Sequence, residues 1–261
     1  MKKATQNEYR VIKEKGVRYV PLEDVRSDKL NISKGNHKTG NIPTLSLSIW
    51  FTCDHKAPCF GKDCYGCHGT YVFGNVQRSH SENTAFVFTH TADEIVEKIA
   101  EWIRRRRKQP KAFRFFGVGD IPNYKFMVVM KKSAEMFPAI RFYTYTKKYA
   151  LVNSYIDVHG ALPENLTIIF SHWMNDDGSF YPMPNPHNLP TSEYIPLGKE
   201  ERIATVKHVC PCSDPTIKSH CDNCDHGCYL LRRGESMALL EHSTERTKER
   251  DRYIREAKAA L

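Results

Sequence analysis

The residues with the clearest chemical potential in this 261-residue sequence are nine cysteines in two groups. The first group has the spacing C-x5-C-x4-C-x2-C and consists of Cys53, Cys59, Cys64 and Cys67. Thiolates packed this densely repel one another, so a bound cation is the natural reason to place them together. Four soft ligands suit either a tetrahedral zinc ion or an iron–sulfur cluster. The first group therefore predicts a metal centre.

The second group has the spacing C-x-C-x8-C-x2-C-x3-C and consists of Cys210, Cys212, Cys221, Cys224 and Cys228. Pairs of cysteines from separate turns are what a four-coordinate site requires. One cysteine exceeds four, which leaves a spare thiol, a bridging ligand or a donor to the other site. The group is either a second cysteine-ligated centre or a zinc site that stabilises a segment too small to fold alone.

Two other interpretations of the cysteines compete with metal binding. Cys64-Tyr65-Gly66-Cys67 matches the C-x-x-C pattern of thioredoxin-like proteins, but seven further cysteines make a simple redox pair a poor explanation. Buried, unligated cysteines normally occur singly. The first residues include no apolar run like that of a signal peptide, so we expect a cytoplasmic protein without a membrane span. In that reducing compartment, disulfides are uncommon.

Length and composition indicate a globular protein with a proper core. The hydrophobic fraction is 40% and the aromatic fraction is 11%, which excludes a small disulfide scaffold and general disorder. The net charge of +9 includes the run Arg104 to Lys108 and favours an anionic partner, nucleic acid among them. The same run is equally typical of a solvated helix end.

Apolar periodicity predicts strands that alternate with helices. From residue 112 the strands begin about 26 residues apart, which is typical of a parallel sheet built from βαβ units. The fold class is therefore α/β, either a partial (β/α) barrel or an open parallel sheet. The predicted strands cover residues 44–51, 112–116, 140–145 and 166–170, the predicted helices cover 91–109, 122–137 and 148–159, and residues 71–90 stay ambiguous.

The chain divides into four predicted segments. Residues 1–42 form an N-terminal extension, and residues 43–200 form the barrel-like core, with a long proline-rich loop after Trp173. Residues 201–235 form the cysteine-rich metal-binding segment, and residues 236–261 are predicted to be a charged helix.

Several polar residues follow the predicted strands directly. The carboxyl ends of parallel strands meet at one edge of a sheet, where ligands bind. We therefore expect the first cysteine group to lie near the candidate catalytic residues Asp120, Lys147 and His172, and near the candidate cofactor-binding residues Gly117, Gly119, Asp120 and Thr146. Alternatively, Asp120 caps the following helix, and the lysine and histidine are solvated loop residues.

The sequence resembles the gene-product-88-like family of bacteriophage proteins. The resemblance is carried by a strand leading to three cysteines, by Phe113-Arg114 before Gly119-Asp120, by the stretch from Ile140 to Lys147, and by a terminal cysteine group. It spans roughly residues 43 to 230 and implies a phage protein, located in the host cytoplasm, without naming an activity.

More distantly, the chain resembles radical S-adenosylmethionine enzymes, which are partial (β/α) barrels. That resemblance implies a 4Fe-4S cluster held by Cys53, Cys59 and Cys64, with S-adenosylmethionine as cofactor and a small or nucleic-acid-derived substrate. Asp120 would bind the cofactor's amino group. The usual C-x3-C-x2-C spacing is absent, and Cys59, Cys64 and Cys67 form the alternative trio.

The competing hypothesis is a zinc-stabilised protein that binds nucleic acid or a partner protein. It is motivated by the positive charge and by the aromatic residues Phe115, Tyr143 and Tyr145, which could stack on bases if they were exposed. Alternating strand positions make these side chains better candidates for the core.

Overall fold

The computed structural model describes residues 19–36, 38–60, 64–67, 69–175, 178–196, 198–213 and 219–241. Eight strands in this part of the chain form one sheet. They are β1 (Ile32–Ser33), β2 (Thr44–Leu45), β3 (Ala112–Phe115), β4 (Arg141–Thr146), β5 (Leu166–His172), β6 (Thr191–Ile195), β7 (His208–Val209) and β8 (Ser236–Leu240).

The strand order is β1-β2-β3-β4-β5-β6-β8-β7, and all neighbouring pairs are parallel except β1 with β2. The two end strands do not pair with each other, so the sheet is open. This confirms the predicted α/β class and its open parallel sheet.

Five helices accompany the sheet within the described residues. They are α1 (Ile49–Thr52), α2 (Gly74–Thr89), α3 (Ala92–Arg104), α4 (Tyr124–Met136) and α5 (Tyr149–His159). A capping box of Thr91 and Glu94 starts α3 as predicted, and Gly160 ends α5 with a φ of 75°. These local signals place the start of α3 and the end of α5 correctly because they satisfy backbone groups without help from distant residues. The predicted end of α3 near residue 109 is wrong, since the helix ends at Arg104.

The long helices pack against one face of the sheet, which we call the outer face. Alternate strand residues such as Phe113, Phe115 and Phe142 point to this face and are completely buried with residues of α2 to α5. The outer face therefore carries the main core, and burial of these aromatic side chains drives the sheet and helices together.

The opposite face, which we call the inner face, is covered by the second cysteine segment. Tyr143 and Ile169 from the sheet pack there against Tyr229 and Leu231. The Thr167 hydroxyl donates a hydrogen bond of 3.2 Å to the Tyr229 carbonyl oxygen. The inner face is consequently divided between a small apolar cluster and more polar positions nearer the carboxyl ends of the strands.

Four predictions of local structure need correction or completion. The strand predicted over 44–51 is shorter than expected, because β2 ends at Leu45 and α1 begins at Ile49. The ambiguous segment is mostly α2, whose buried Asn83 side chain donates to the carbonyl oxygens of Asn31 and Ser46. The predicted pause after Trp173 is followed by a sixth strand, β6, which adds to the same sheet.

The predicted C-terminal helix is wrong over Ser236–Leu240. This stretch is β8, which lies between β6 and β7 and pairs with both. Its residues are good helix formers, but pairing on both sides and burial of Met237 override that propensity. Residues 242–261 of the predicted helix lie outside the described residues.

The sheet takes strands from each predicted segment, and the division into segments itself stays a prediction. Among the described residues, no helix combines the length and apolar character needed to cross a bilayer.

Candidate functional site

Both cysteine groups line one cavity of about 280 Å³ on the inner face. The cavity lies where β3, β4 and β5 end, as expected for a ligand site in a parallel sheet. Seven cysteines line it: Cys53, Cys59 and Cys64 from the first group, and Cys210, Cys212, Cys221 and Cys228 from the second. The structure thus brings together residues that are more than 140 positions apart in sequence.

The first group is positioned by α1 and the turn that follows it. The Cys53 amide caps α1 by donating to the Ile49 carbonyl oxygen at 3.2 Å. The Cys67 amide donates to the Cys64 carbonyl oxygen at 2.8 Å, which closes a tight turn. Cys67 is buried against Ile49, Trp50 and Val118 and does not line the cavity. Of the two trios considered from the sequence, this arrangement favours Cys53, Cys59 and Cys64.

The electrostatics of the first group disfavour free thiolates. Burial raises the pKa of Cys53 far above its ordinary value, and Cys64, Asp120 and Cys59 raise it further. Burial also raises the pKa of Cys59, although the nearby Lys147 ammonium acts in the opposite direction. These thiols therefore stay protonated unless a cation compensates their charge, and a coordinated metal would do so.

The second group is positioned by the strands and by the N-terminal part of the chain. The Cys210 amide donates to the Ala238 carbonyl oxygen of β8, and the Cys221 amide donates to the Lys38 carbonyl oxygen, both at 2.9 Å. The Tyr229 hydroxyl donates to the Cys221 carbonyl oxygen at 3.3 Å. Long-range backbone contacts thus hold the second group over the inner face.

The second group has the same electrostatic character as the first. Its hydrogen bond with Cys212 raises the pKa of Cys210, and burial adds to the effect. Burial raises the pKa of Cys228 to about 12, with a further contribution from Cys210. Cys224 is buried and does not line the cavity, so it is the structural candidate for the spare cysteine.

The cysteines do not form a site for a single ion. Within the described part of the chain, no three side chains of histidine, cysteine, aspartate or glutamate are arranged to hold one metal ion. A cluster of several iron and sulfide atoms is larger than one ion, so its thiolates stand further apart. Cysteine thiolates ligate zinc and iron–sulfur clusters alike, so the donor set by itself suits either group.

Asp120 ties the end of β3 to the end of β4. Its buried carboxylate accepts hydrogen bonds from the Thr146 hydroxyl at 2.5 Å and from the Lys147 amide at 3.0 Å. Burial raises the pKa of Asp120, and these hydrogen bonds lower it in part. Asp120 lines the cavity as predicted, but its bonds give it a positioning role in addition to any contact with a ligand.

Lys147 and Thr146 also reach the cavity at the end of β4. The Lys147 ammonium lies 4.7 Å from the centre of the Trp173 ring, which favours a cation over its face. The Thr146 hydroxyl is buried and occupied by Asp120. Lysine and carboxylate therefore meet the first cysteine group at the same edge, as expected from the sequence.

His172 does not line the cavity with Asp120 and Lys147. Its ring stacks on Phe180 with 4.2 Å between centres, and it lies 4.0 Å from the Glu193 carboxylate. Strand alternation explains the difference, because Ser171 lines the cavity and the next residue of β5 points to the other face. The structure does not bring the predicted imidazole into the cavity.

The glycine-rich turn after β3 is tightly packed. Phe116 has a φ of 58°, unusual for a residue with a side chain, and Gly119 has a φ of 87°. A Cβ atom on Gly119 would lie 2.7 Å from the Leu47 carbonyl oxygen, and one on Gly117 would lie 2.8 Å from the Thr44 methyl carbon. Backbone strain of this kind concentrates at ligand sites, and it brings Gly117 and Gly119 to the cavity wall.

One cavity residue, Arg114, was not singled out from the sequence. It is the only charged residue of β3 and lies between Phe113 and Phe115, which point to the outer face. A charge inside an apolar strand is costly to bury, and this was the signal available in the sequence.

A second, larger cavity of about 820 Å³ lies near the opposite ends of the strands. Its wall includes Arg141, Pro163 and Arg233 and contains no cysteine. We take the smaller cavity as the functional site because the cysteines and the carboxyl ends of the strands meet there.

The fold and the cavity define a class of protein: an α/β protein whose open, largely parallel sheet carries a cysteine-lined cavity opposite its long helices. The chain belongs to the Gene product 88 family, which matches residues 22–181. This confirms the resemblance to the phage family. The match includes β1 to β5 and the first cysteine group, and it ends before the second group.

No curated protein and no solved structure matches the chain. The comparisons lend no support to the more distant relation to radical S-adenosylmethionine enzymes, which stays a prediction.

Proposed function

We propose that this protein is an iron–sulfur enzyme of the radical S-adenosylmethionine type. In this proposal Cys53, Cys59 and Cys64 hold a 4Fe-4S cluster at the carboxyl edge of the sheet, and the second group holds another cysteine-ligated centre. The observation that carries the proposal is the division of the cavity wall: three cysteines come from the first group and four from the second. Three thiolates leave one iron of a cluster open to a ligand, whereas four complete a closed centre.

The residues near the first group suit a bound cofactor. A cluster held by Cys53, Cys59 and Cys64 would supply the electron for the chemistry of S-adenosylmethionine. Gly117 and Gly119 offer backbone close to the cavity without a side chain in the way. Asp120 holds the ends of β3 and β4 together and offers carboxylate oxygens to an ammonium group. Thr146 fixes the orientation of that carboxylate through its hydroxyl.

Lys147 has a separate role in the proposal. Its ammonium lies beside the Cys59 thiol and lowers the pKa of that thiol relative to burial alone. It therefore favours the thiolate that a cluster requires, and it can also contact an acidic group of cofactor or substrate. His172 is not assigned a role in the cavity, because it points to the other face.

The zinc-stabilised nucleic-acid-binding alternative stays a prediction, but the structure removes part of its motivation. Phe115 is completely buried in the outer core and Tyr143 is 2% exposed, so neither can stack on a base. Arg106, two residues beyond the end of α3, lies with its guanidinium carbon 3.8 Å from the centre of the Trp102 ring.

The test is anaerobic purification followed by iron and sulfide analysis and electron paramagnetic resonance. We expect a brown protein with absorption at about 400 nm from cysteinyl iron–sulfur centres. After reduction, S-adenosylmethionine should change the resonance spectrum of one centre, because only the first group leaves an iron open. A colourless protein that contains zinc alone would exclude the proposal.

A further inference from the structure

Arg114 is a partly buried cation with a buried Nε atom, and no acidic side chain of the described residues balances its charge. Its Nε atom has no solvent-accessible surface and no hydrogen-bond partner, and within the described residues no carboxylate forms an ion pair with its guanidinium. Arginine keeps its charge under all ordinary conditions. A charged group buried in this way is expensive unless something anionic completes its surroundings.

Another arginine of the sheet region shows how this fold satisfies a buried guanidinium. Arg202 lies 2.6 Å from the Glu193 carboxylate, and both side chains are about nine-tenths buried. Glu193 projects from β6, so the countercharge of Arg202 is supplied by the chain itself. Arg114 has no such carboxylate, which indicates that its anion comes from outside the protein.

The surroundings of Arg114 direct it towards a ligand. Its guanidinium carbon lies 5.1 Å from the centre of the Tyr145 ring, which supports a cation without neutralising it. Arg114 lines the cavity together with Tyr71, Tyr145 and Lys147. Lys38 is a third cation in the cavity wall, which also contains the carboxylates of Asp54 and Asp120.

We propose that Arg114 binds the carboxylate or phosphate group of the substrate and orients it between the two cysteine groups. The planar guanidinium offers parallel N–H donors that match either anion. In the proposed function the centres and the cofactor would occupy part of this cavity, which leaves room only for a small substrate. This inference rests on the proposed function for the identification of the cavity as a substrate site, but anion binding can be measured without turnover.

The competing explanation is that Arg114 balances the negative charge of the second cysteine group. Its charge opposes the burial that raises the pKa of Cys228, so the two side chains interact. If Arg114 were a countercharge, its removal would release the second centre and its iron. If Arg114 binds the substrate, its removal would leave the iron in place. Iron content therefore separates the two explanations.

The experiment measures binding of inorganic phosphate, malonate and neutral malonamide to the full-length, anaerobically prepared protein by calorimetry. We expect phosphate or malonate to bind and malonamide not to bind, and the tighter of the two anions identifies the substrate group. Arg114→Met should weaken anion binding by roughly tenfold to a hundredfold, which is the usual loss for a hydrogen bond to a charged group. Arg114→Lys keeps the positive charge but loses the parallel N–H donors of the guanidinium, so it should weaken anion binding less than Arg114→Met does.

Arg106→Met is the matched control. Arg106 also lies over an aromatic ring, that of Trp102, but outside the cavity, so anion affinity should stay at the wild-type value. Absence of anion binding by the wild-type protein overturns the inference whether or not the variants fold. Unchanged affinity in Arg114→Met, or loss of half the iron in that variant, also overturns it. A protein without iron whose anion binding depends on Arg114 would contradict the proposed function and leave the anion site intact.

Discussion

The two cysteine groups reach the same cavity from opposite directions and with different support. The first group lies on loops that follow β2 and is positioned by short-range hydrogen bonds, such as that from the Cys53 amide to Ile49. The second group lies across the inner face and is positioned by long-range contacts, such as that from the Cys221 amide to Lys38. Each group turns one cysteine away from the cavity, and these are Cys67 and Cys224.

In the proposed function, this difference would allow one cavity to combine an open and a closed centre. Three cavity-facing thiols would leave one position of a centre open to a ligand. Four thiols held by a sheet favour a centre that stays fully coordinated. The comparison can be tested group by group, because each group has its own cavity-facing and turned-away cysteines.

The largest effect is expected from removing one cavity-facing thiol in each group. Cys59→Ser and Cys228→Ser should each lower the iron content by about half, because hydroxyl is a poor substitute for a thiolate ligand. Only Cys59→Ser should abolish the response of the resonance spectrum to S-adenosylmethionine. Iron analysis and electron paramagnetic resonance on the same anaerobic samples measure both quantities.

Cys67→Ser and Cys224→Ser are the matched controls, and both should retain the wild-type iron content. If Cys67→Ser lost the first centre, the alternative trio of Cys59, Cys64 and Cys67 would be correct. If Cys228→Ser abolished the response to S-adenosylmethionine, the open centre would belong to the second group.

A smaller effect is expected from alanine at glycines that pack behind each group. Gly119→Ala should lower the free energy of unfolding by about 2 to 4 kcal/mol, because its positive φ is strained and its Cβ would meet backbone. Gly40→Ala should cost about 1 to 2 kcal/mol, since its Cβ would displace the Asp222 carboxylate, which can move. Asp222 would then lose its hydrogen bond from the Asn41 amide. Denaturant titration measures both losses.

Gly160→Ala controls for backbone strain alone, because its φ is 75° and no atom lies within 4 Å of the added Cβ. Hydrogen exchange should show faster exchange near Cys53 and Cys59 in Gly119→Ala, and near Cys221 to Cys228 in Gly40→Ala. Equal effects of both substitutions on both groups would show that the groups are one cooperative unit.

Acid should weaken the region of the first group, but only at a pH well below neutral. Burial lowers the pKa of His80 to about 4, and its ring lies 6.0 Å from that of Tyr71, which lines the cavity. The unfolded chain takes up the proton near pH 6.5, whereas folded His80 stays neutral. Stability from this group is therefore complete above pH 6.5 and is lost as the pH falls towards 4, by about 3 kcal/mol.

Thermal unfolding between pH 7 and pH 4 tests this expectation. His80→Gln removes the titrating ring and should flatten the loss of stability across that range, whatever its effect at pH 7. His159→Gln, at the exposed end of α5, is the matched substitution. A pH dependence of His80→Gln identical to that of the wild type would assign the acid sensitivity to other groups.

Much of the fold could be predicted from local patterns. The helix starting at Thr91, the strand containing Phe113 and the stop at Gly160 depend on periodicity, capping and backbone freedom, which neighbouring residues determine. The sixth and eighth strands could not be predicted in this way. Ser236–Leu240 adopts a strand because β6 and β7 supply its hydrogen bonds, and these partners are distant in sequence.

The sequence predicted most residues of the candidate site, but it did not predict which of them line the cavity together. The cysteines, Asp120 and Lys147 follow strands, so their approach to one edge follows from parallel pairing. The exclusion of His172 depends on how far β5 continues, since one more strand residue reverses the side-chain direction. Arg114 was visible as a charge in an apolar strand, but its missing partner could be recognised only once the neighbouring elements were in place.

The sequence by itself determined that this protein has two dense groups of thiols, a βαβ core and polar residues at the strand ends, because spacing and periodicity are local properties. Only the tertiary structure decided which seven cysteines share a cavity and that an unpaired arginine lies between the two groups. The physical reason is that facing and burial depend on contacts such as that between Asn41 and Asp222, which lie 181 residues apart.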